Sequence, residues 1–195
     1  MTAAPIRDRL LRALDVPARP TSDFDLNGSA PEGLGARPAG VLAAFHPDGR
    51  LVLTKRASGL RHHPGQIALP GGKVDPGDAD EVAAALREAR EEIGLDPANV
   101  EVLGTLPAHR TVTGFAMTPV LAMIRGDFVP LPEAGEVEEA FCVPFAHVAD
   151  PARYRLERRM WRGDWRSYHV APFGPYYIWG ATARVLLSLA RRVTA

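Results

Sequence analysis

A glycine-rich turn leads directly into an acidic helix in the stretch Leu69 to Leu95, which reads LPGGKVDPGDADEVAAALREAREEIGL. Apolar residues recur at i, i+4, i+7 and i+11, namely Val82, Leu86, Ala89 and Ile93. This spacing predicts an amphipathic helix with one face in a core. Three glutamates, Glu88, Glu91 and Glu92, fall within about 100° of arc on another face. The helix is therefore expected to bury one side and to present a carboxylate cluster elsewhere.

The carboxylate cluster predicts a site for a hard divalent cation. Like charges at these spacings destabilise an isolated helix by roughly 0.2–0.5 kcal/mol per pair, and a bound cation would offset that repulsion. Oxygen ligands favour Mg²⁺ or Mn²⁺, and such ions bind phosphate oxygens readily. Gly71 and Gly72 let the backbone approach the same place. Together these parts suit metal-assisted hydrolysis of a phosphoanhydride, with nearby arginines holding the remaining phosphate charge.

The same residues also fit a plainer interpretation, in which the helix face is solvated and its charges pair locally. Arg87 and Glu91 are four residues apart and could form an ion pair along the helix. Asp78 precedes Glu81 by three residues, a capping-box spacing that predicts a helix start near Ala79. This spacing favours a capping role for Asp78 over metal binding. The order and spacing of the whole set, rather than any one residue, favour the metal site.

The rest of the chain predicts an α/β protein with a mixed sheet flanked by helices. Strands are predicted at residues 39–46, 50–56, 100–106, 118–124 and 138–144, with a hairpin in 154–170 and a closing helix in 178–193. The length of 195 residues predicts a single domain. Residues 1–38 are expected to form an N-terminal helix and coil extension, and residues 39–195 the core with the C-terminal helix.

The charge balance and the cysteine content narrow the possible partners. Acidic and basic residues number 23 each, so no overall charge attracts nucleic acid or an anionic membrane. No apolar run approaches membrane-spanning length, and the first 15 residues lack a targeting pattern. Cys142 is the single cysteine and has no partner for an intramolecular disulfide. We therefore expect a cytoplasmic protein without a nucleic-acid or membrane partner, in which local charge must attract any anionic substrate.

The ordered motif around the helix resembles the Nudix hydrolase box, G-x5-E-x7-R-E-U-x-E-E-x-G-U with U aliphatic. Residues 87–95, REAREEIGL, match its second half. The first half departs from the pattern, because Gly72 is followed after five residues by Asp78 rather than a glutamate. Eight residues instead of seven then precede Arg87. The insertion leaves the three helix glutamates in register.

A second motif just upstream resembles the coenzyme A diphosphatase branch of that family. That branch carries a pattern like L-L-T-x-R-[SA]-x3-R-x3-G-x3-F-P-G-G. Here Val52–Ala57 continues with matching spacing to Arg61, Gly65 and the segment 69–72, LPGG. The longer spacing between glycine and arginine also resembles that branch, as does the late segment 178–183, IWGATA.

The resemblance implies a Nudix-type α/β/α sandwich with a mixed β-sheet between helices. It also implies Mg²⁺- or Mn²⁺-dependent cleavage of coenzyme A or its derivatives into adenosine 3′,5′-bisphosphate and 4′-phosphopantetheine. Carried over residue by residue, Glu88 and Glu92 are metal ligands, Glu91 is a further ligand or the base, and the Gly71 carbonyl is a possible ligand. Arg87 belongs to the same catalytic set. Substrate contacts are expected from Arg56, Arg61, Gly71 and Gly72.

Other readings of the chain stay open at this point. A Nudix enzyme could cleave another nucleoside diphosphate derivative, such as ADP-ribose or a dinucleotide, and a non-catalytic module could sense a nucleotide metabolite. A homodimer is possible. Some residues could either contact the substrate or lie in solvent, core or interface, namely Arg155, Arg158, Arg159, Arg162, Arg166, His62, His63, Trp161, Trp165 and Trp179. The arginines could bind the ribose 3′-phosphate of the substrate, and one of the tryptophans could stack on its adenine ring.

Overall fold

The structure, a computed structural model, describes residues 5–161 and 163–195, and for Trp161 the backbone alone. The first half of the chain contains α1 (Ile6–Asp15), β1 (Thr21–Ser22), β2 (Arg37–Phe45), β3 (Arg50–Arg56), β4 (Ile67–Ala68), β5 (Gly71–Lys73) and α2 (Glu81–Ile93). The second half contains β6 (Val100–Thr105), β7 (His109–Arg110), β8 (Phe115–Ile124), β9 (Val137–Pro144), α3 (Phe145–Val148), β10 (Arg155–Trp161), β11 (Asp164–Val170) and α4 (Gly180–Val193). Short 3-10 turns lie at Asp23–Leu26, Pro97–Asn99 and Pro151–Arg153.

The described strands form a nine-stranded mixed sheet and a separate two-stranded hairpin, β10–β11. At the centre, β2 runs parallel to β8 and antiparallel to β3 and β5. The outer strands β6 and β9 pair antiparallel with β8 and β3. The predicted mixed sheet flanked by helices is therefore confirmed.

Strand β2 is buried on both faces, which explains its nearly continuous apolar sequence. Val41, Ala43 and Phe45 point into one core together with residues of α1 and α4. Leu42 and Ala44 point into a second core that includes Ala85, Ala89 and Ile93 of α2. Because successive side chains of a strand alternate between faces, one strand supports both helical layers. The sheet is thus covered on both sides, and α2 lies alone among these helices on its side.

Gly40 fixes how closely α2 approaches the sheet. A Cβ at this position would overlap the Glu81 carbonyl in the first turn of α2. The helix therefore starts directly on β2, beside β5, which pairs with the same stretch of β2. The carboxylate-bearing turns of α2 consequently lie against the Gly71–Gly72 backbone.

Most of the elements predicted from periodicity are present, including the 154–170 hairpin and the closing helix. The coil predicted for residues 17–38 instead contains β1 and a 3-10 turn, because Thr21 and Ser22 pair with His109 and Arg110 far along the chain. The helix predicted within the N-terminal extension packs into the core through Leu10. No described helix combines the length and the apolar character needed to cross a bilayer.

The predicted start of α2 near Ala79, with Asp78 as its cap, is wrong. The helix begins at Glu81, and the Asp80 side chain accepts the capping hydrogen bond from the Ala83 amide at 2.8 Å. The Asp78 carboxylate instead accepts from the Asp75 amide and from Arg87. The predicted C-terminal glycine cap is confirmed, since Gly94 has φ of 72°.

Candidate metal and substrate site

Glu92 is the most enclosed acidic side chain on α2, at 5% exposure. Its Oε2 accepts a hydrogen bond of 3.2 Å from the Gly71 amide, and its Oε1 lies 3.8 Å from Nη1 of Arg56. Burial outweighs both favourable contacts and raises the pKa of Glu92 to about 7. This carboxylate therefore lacks enough positive charge around it to be ionised at no cost.

Glu88 lies one helical turn before Glu92 and contacts the same pair of glycines, which were predicted as a turn and lie in strand β5. A Cβ at position 72 would overlap the Glu88 carboxylate, so only glycine allows this approach. Burial is also the main cause that raises the pKa of Glu88, although Arg87 opposes the shift. The fold thus brings together two poorly solvated carboxylates, Glu88 and Glu92, beside the Gly71–Gly72 backbone.

Arg87 organises the loop in front of the helix. Its Nε and Nη2 donate to the two carboxylate oxygens of Asp78 at 3.0 and 2.9 Å, and Nη2 also donates to the Lys73 carbonyl at 3.2 Å. Its Nη1 donates to Glu88 at 3.0 Å and to Glu91 at 2.9 Å. The Asp78 and Glu88 carboxylates raise the pKa of Arg87. The guanidinium therefore joins residues 73–78 to the acidic face of α2.

Glu91 differs from the other two glutamates of the predicted cluster. Its side chain is 55% exposed and pairs with Arg87, the plainer alternative that the i, i+4 spacing allows. Among the described residues, no three or more histidine, cysteine, aspartate or glutamate side chains converge as a ready-made metal centre. The structure brings Glu88 and Glu92 together and leaves Glu91 towards solvent.

The two arginines of the upstream motif, which comprises residues 52–72, have different surroundings. Arg56 ends β3, and its guanidinium reaches towards Glu92. Arg61 is exposed in the following loop, and no hydrogen bond or ion pair joins it to any other described residue. The structure therefore brings Arg56, but not Arg61, to the carboxylates.

Glu136 is an additional acidic residue at this site that the sequence reasoning missed. It precedes β9 in an exposed loop, and its charge raises the pKa of both Glu88 and Glu92. Its carbonyl accepts from the Ala57 amide at 2.9 Å, which ties the loop to the end of β3. No local pattern marks this residue, because it comes to the site through the pairing of β3 with β9.

A cleft of about 590 Å³ lies on the other side of the upstream motif. His63 and Gln66 of that motif line it, together with Arg159, Arg166, Ser167 and Tyr168 of the hairpin and Trp179 and Gly180 at the start of α4. Trp165 is exposed, and His62 is exposed in the loop. Arg162 and the side chain of Trp161 lie outside the described residues, so the predictions made for them stay untested.

Comparison with known proteins decides the family. The NUDIX domain family matches residues 36–163, about two thirds of the chain. The chain belongs to the Nudix family. It is 40% identical over 164 residues to a protein of Escherichia coli named uncharacterized Nudix hydrolase NudL, covering 83% of this chain and 85% of the relative. A protein of the same name from Cronobacter sakazakii is 40% identical over 162 residues, covering 82% and 84%.

A solved structure shares the fold. A MutT/nudix family protein from Enterococcus faecalis superimposes with a TM-score of 0.51 at 16% identity, covering 100% of this chain and 76% of the other. As a Nudix hydrolase, the protein is an enzyme of a family that acts on the pyrophosphate bonds of nucleoside diphosphate derivatives. Nudix hydrolases generally use divalent metal ions, commonly Mg²⁺ or Mn²⁺.

The residues of the Nudix site fit such an ion. Glu88 and Glu92 supply hard oxygen donors on adjacent turns, and glycine at position 72 leaves the backbone open to them. Both carboxylates have raised pKa values because burial disfavours their charged forms. A divalent cation would supply the positive charge that neither Arg56 nor Arg87 fully provides. The chemistry of this donor set therefore suits Mg²⁺ or Mn²⁺.

Proposed function

We propose that this Nudix hydrolase cleaves the pyrophosphate bond of coenzyme A or its derivatives, releasing adenosine 3′,5′-bisphosphate and 4′-phosphopantetheine. The observation that carries the proposal is the position of the upstream motif, which bridges the carboxylates and the cleft. At one end, Arg56 approaches Glu92 at 3.8 Å. At the other end, Gln66 lines the cleft.

The late segment 178–183 meets the same motif, which further supports the coenzyme A branch. The Thr182 hydroxyl donates to the Ile67 carbonyl at 3.1 Å, and both groups are buried. A Cβ on Gly180 would lie 3.9 Å from Nε2 of Gln66. The two segments that resemble the branch are 115 residues apart in sequence at this contact, yet they form one wall of the cleft. Their contact is expected if both serve one substrate.

In this proposal, Glu88, Glu92 and the Gly71 carbonyl hold the metal ion, and Glu91 is a further ligand or the base. A bound Mg²⁺ or Mn²⁺ supplies positive charge that offsets the phosphate charge and makes water more acidic. Glu91 acts as a ligand only if it exchanges Arg87 for the ion, because that pair holds its carboxylate here. Arg56 lies where its guanidinium can bind a phosphate oxygen beside Glu92.

Proton transfer requires a carboxylate near the attacking water that the metal does not occupy. Glu91 and Glu136 are the two candidates in this proposal, since both are exposed and the charge of each raises the pKa of Glu88. In this proposal, Arg61 extends from the exposed loop and contacts a part of the substrate that lies away from the carboxylates. Gly71 and Gly72 contribute backbone groups that the lack of a side chain leaves accessible.

The test is a substrate panel with product analysis. The protein is incubated with Mg²⁺ or Mn²⁺ and coenzyme A, ADP-ribose or a diadenosine polyphosphate, in water enriched in oxygen-18, and products are identified by mass spectrometry. We expect coenzyme A to be cleaved with the highest kcat/KM, and the label to show which phosphorus is attacked. Preferential cleavage of ADP-ribose or a dinucleotide would overturn the proposal that coenzyme A is the substrate. No cleavage of any compound would overturn the proposed hydrolase activity.

Glu92→Gln tests the metal assignment within the same assay. Metal-assisted charge stabilisation is worth several kcal/mol, so we expect kcat/KM to fall at least about 100-fold. Glu81→Gln is the matched control, because Glu81 lies in the first turn of the same helix and is not one of the clustered glutamates. Full activity of Glu92→Gln would rule out the assignment.

A further inference from the structure

The cleft beside the Nudix carboxylates has the composition of a binding site for a phosphorylated aromatic group. It is lined by two arginines, Arg159 and Arg166, and by the aromatic side chains of Tyr168 and Trp179. Thr111 and Thr113, which carry hydroxyl groups, also line it, together with two residues of the upstream motif, His63 and Gln66. With a volume of about 590 Å³, the cleft can hold a group of nucleoside size.

The alternation of the hairpin selects which arginines face the cleft. Arg159 and Arg166 are directly paired across β10 and β11, so their side chains lie on the same face. Arg158 points to the opposite face, where its guanidinium lies 4.8 Å from the centroid of the Trp165 ring. Two guanidinium groups on neighbouring strands therefore face the same space. Together they suit a phosphate, which binds arginine through paired hydrogen bonds.

The aromatic wall is held by contacts among its own side chains. The Trp179 and Tyr168 rings meet edge to face, with centroids 5.3 Å apart at 67°. The Arg159 guanidinium lies 5.8 Å from the Trp179 centroid. This arrangement keeps a planar surface and a cation side by side, the two features that bind a phosphorylated nucleoside.

The walls of the cleft are also fixed to each other. Asn27 pairs with the β11 backbone at Ser167, accepting from its amide at 2.7 Å and donating to its carbonyl at 2.9 Å. Asp23 uses one carboxylate oxygen on His109 and the other on the Val112 amide. Asp23 therefore ties its own segment to His109 and Val112. A site with walls held in this way requires little rearrangement on binding.

His63 adds a strained element to the same cleft. Its φ of 54° makes it the one non-glycine residue with positive φ among those the structure describes. Such backbone conformations are uncommon for residues with a Cβ and often occur at functional positions. The strain lies within the motif that joins the cleft to the carboxylates.

We propose that this cleft binds the 3′-phosphorylated adenosine half of the substrate, with Arg159 and Arg166 on the 3′-phosphate and Trp179 against the base. This inference rests on the proposed function for the identity of the substrate. The 4′-phosphopantetheine half carries only hydroxyl, amide and thiol groups beyond its phosphate, and these give two guanidinium groups no anion to bind. The 3′-phosphoadenosine half supplies both the anion and the ring. The pyrophosphate then extends past Arg56 to Glu88 and Glu92.

The decisive measurement is calorimetric binding of adenosine 3′,5′-bisphosphate and of AMP to the 195-residue chain, which requires no catalysis. We expect the bisphosphate to bind about tenfold or more tightly than AMP, because only it carries the group that the arginines hold. In Arg159→Gln that preference should be lost. Arg158→Gln is the matched control and should keep the wild-type preference, since Arg158 is on the opposite face of the same strand.

Equal affinity of the wild-type protein for the two nucleotides would overturn the proposal. An equal loss of preference in Arg158→Gln and Arg159→Gln would also overturn it, because only general charge would then matter. Trp179→Phe, which keeps a ring, should retain most of the affinity for both nucleotides, and Trp179→Leu should weaken both by about tenfold. Unchanged affinity of Trp179→Leu for both nucleotides would show that the adenine base does not bind against Trp179.

A kinetic comparison separates this inference from the proposed function. With coenzyme A and dephospho-coenzyme A as substrates, Arg159→Gln should raise KM for coenzyme A alone and leave the kcat values close to those of the wild-type enzyme. If neither compound is cleaved but the bisphosphate preference persists, the proposed reaction fails and the nucleotide site stands. If coenzyme A is cleaved without any 3′-phosphate preference, the reaction stands and the cleft assignment fails.

Discussion

The Gly71 amide donates to the Glu92 carboxylate at 3.2 Å, across 21 positions of sequence. This hydrogen bond joins the glycine turn to the acidic helix and holds Glu92 against the β2–β5 pair. It offsets only part of the cost of burying a carboxylate, because the pKa of Glu92 is still raised from 4.5 to about 7. Burial of this carboxylate therefore lowers the stability of the protein when no cation is bound.

The first prediction concerns that stability and its dependence on pH. The pKa of Glu92 is higher in the folded than in the unfolded protein, so protonation of its carboxylate stabilises the folded state at low pH. This contribution to the free energy of unfolding is lost as pH rises from 4.5 to about 7. In excess chelator, we expect Glu92→Gln to be more stable than the wild type at pH 8, by no more than about 3 kcal/mol. The difference should shrink towards pH 5 in urea titrations. A constant difference across this range would contradict the assignment.

The second prediction concerns the approach of Glu88 to the glycine turn. A methyl group at position 72 would overlap the Glu88 carboxylate, so Gly72→Ala must displace it. We expect the Mg²⁺ or Mn²⁺ concentration for half-maximal activity to rise about tenfold or more, since a displaced ligand weakens metal binding. Gly77→Ala is the control, because no atom lies within 4 Å of a Cβ there. Equal metal requirements in the two variants would contradict the arrangement.

The third prediction concerns Glu136 as a proton acceptor. Its charge acts on both Glu88 and Glu92, although it lies outside the acidic helix. If it accepts the proton from water, Glu136→Gln should lower kcat by at least about 100-fold and change the acidic limb of the pH–rate profile. Glu133→Gln in the same exposed loop is the control. A wild-type profile in Glu136→Gln, with a large loss in Glu91→Gln, would assign the role to Glu91.

The fourth prediction separates the two aspartates before α2. Asp80 caps the helix, so Asp80→Ala should lower the free energy of unfolding by about 1 kcal/mol and leave activity near the wild-type level. Asp78 holds Arg87 through two hydrogen bonds, so Asp78→Asn should lower activity and increase hydrogen exchange in residues 73–78. Thermal melts measure the stability of both variants, steady-state kinetics measure their activity, and hydrogen exchange measures the opening of residues 73–78. Loss of activity in Asp80→Ala alone would reverse these roles.

Local patterns were sufficient for the elements whose burial follows a simple period. The apolar stripe of α2 and the alternation of the hairpin predicted both elements, and the ordered glutamates predicted the family. The register of the helix start was harder, because Asp78 and Asp80 both have side chains that can cap. The contact of Asp78 with Arg87, nine residues later, decided between them. A capping rule that considers only neighbouring residues does not include that contact.

Residues close in sequence therefore determined the acidic helix and the membership of the Nudix family, because hydrophobic period and motif spacing are local properties. The glycines predicted as a turn instead lie in β5, through pairing with β2. The tertiary structure alone decided which charged groups meet across the fold. It buried Glu92 beside Arg56 and brought Glu136 to the site through β9, whereas the Arg87–Glu91 pair follows from local helix spacing. It also joined the β10–β11 hairpin, α4 and the upstream motif around one cleft. These contacts depend on strand pairing and helix packing over long separations, which no local spacing records.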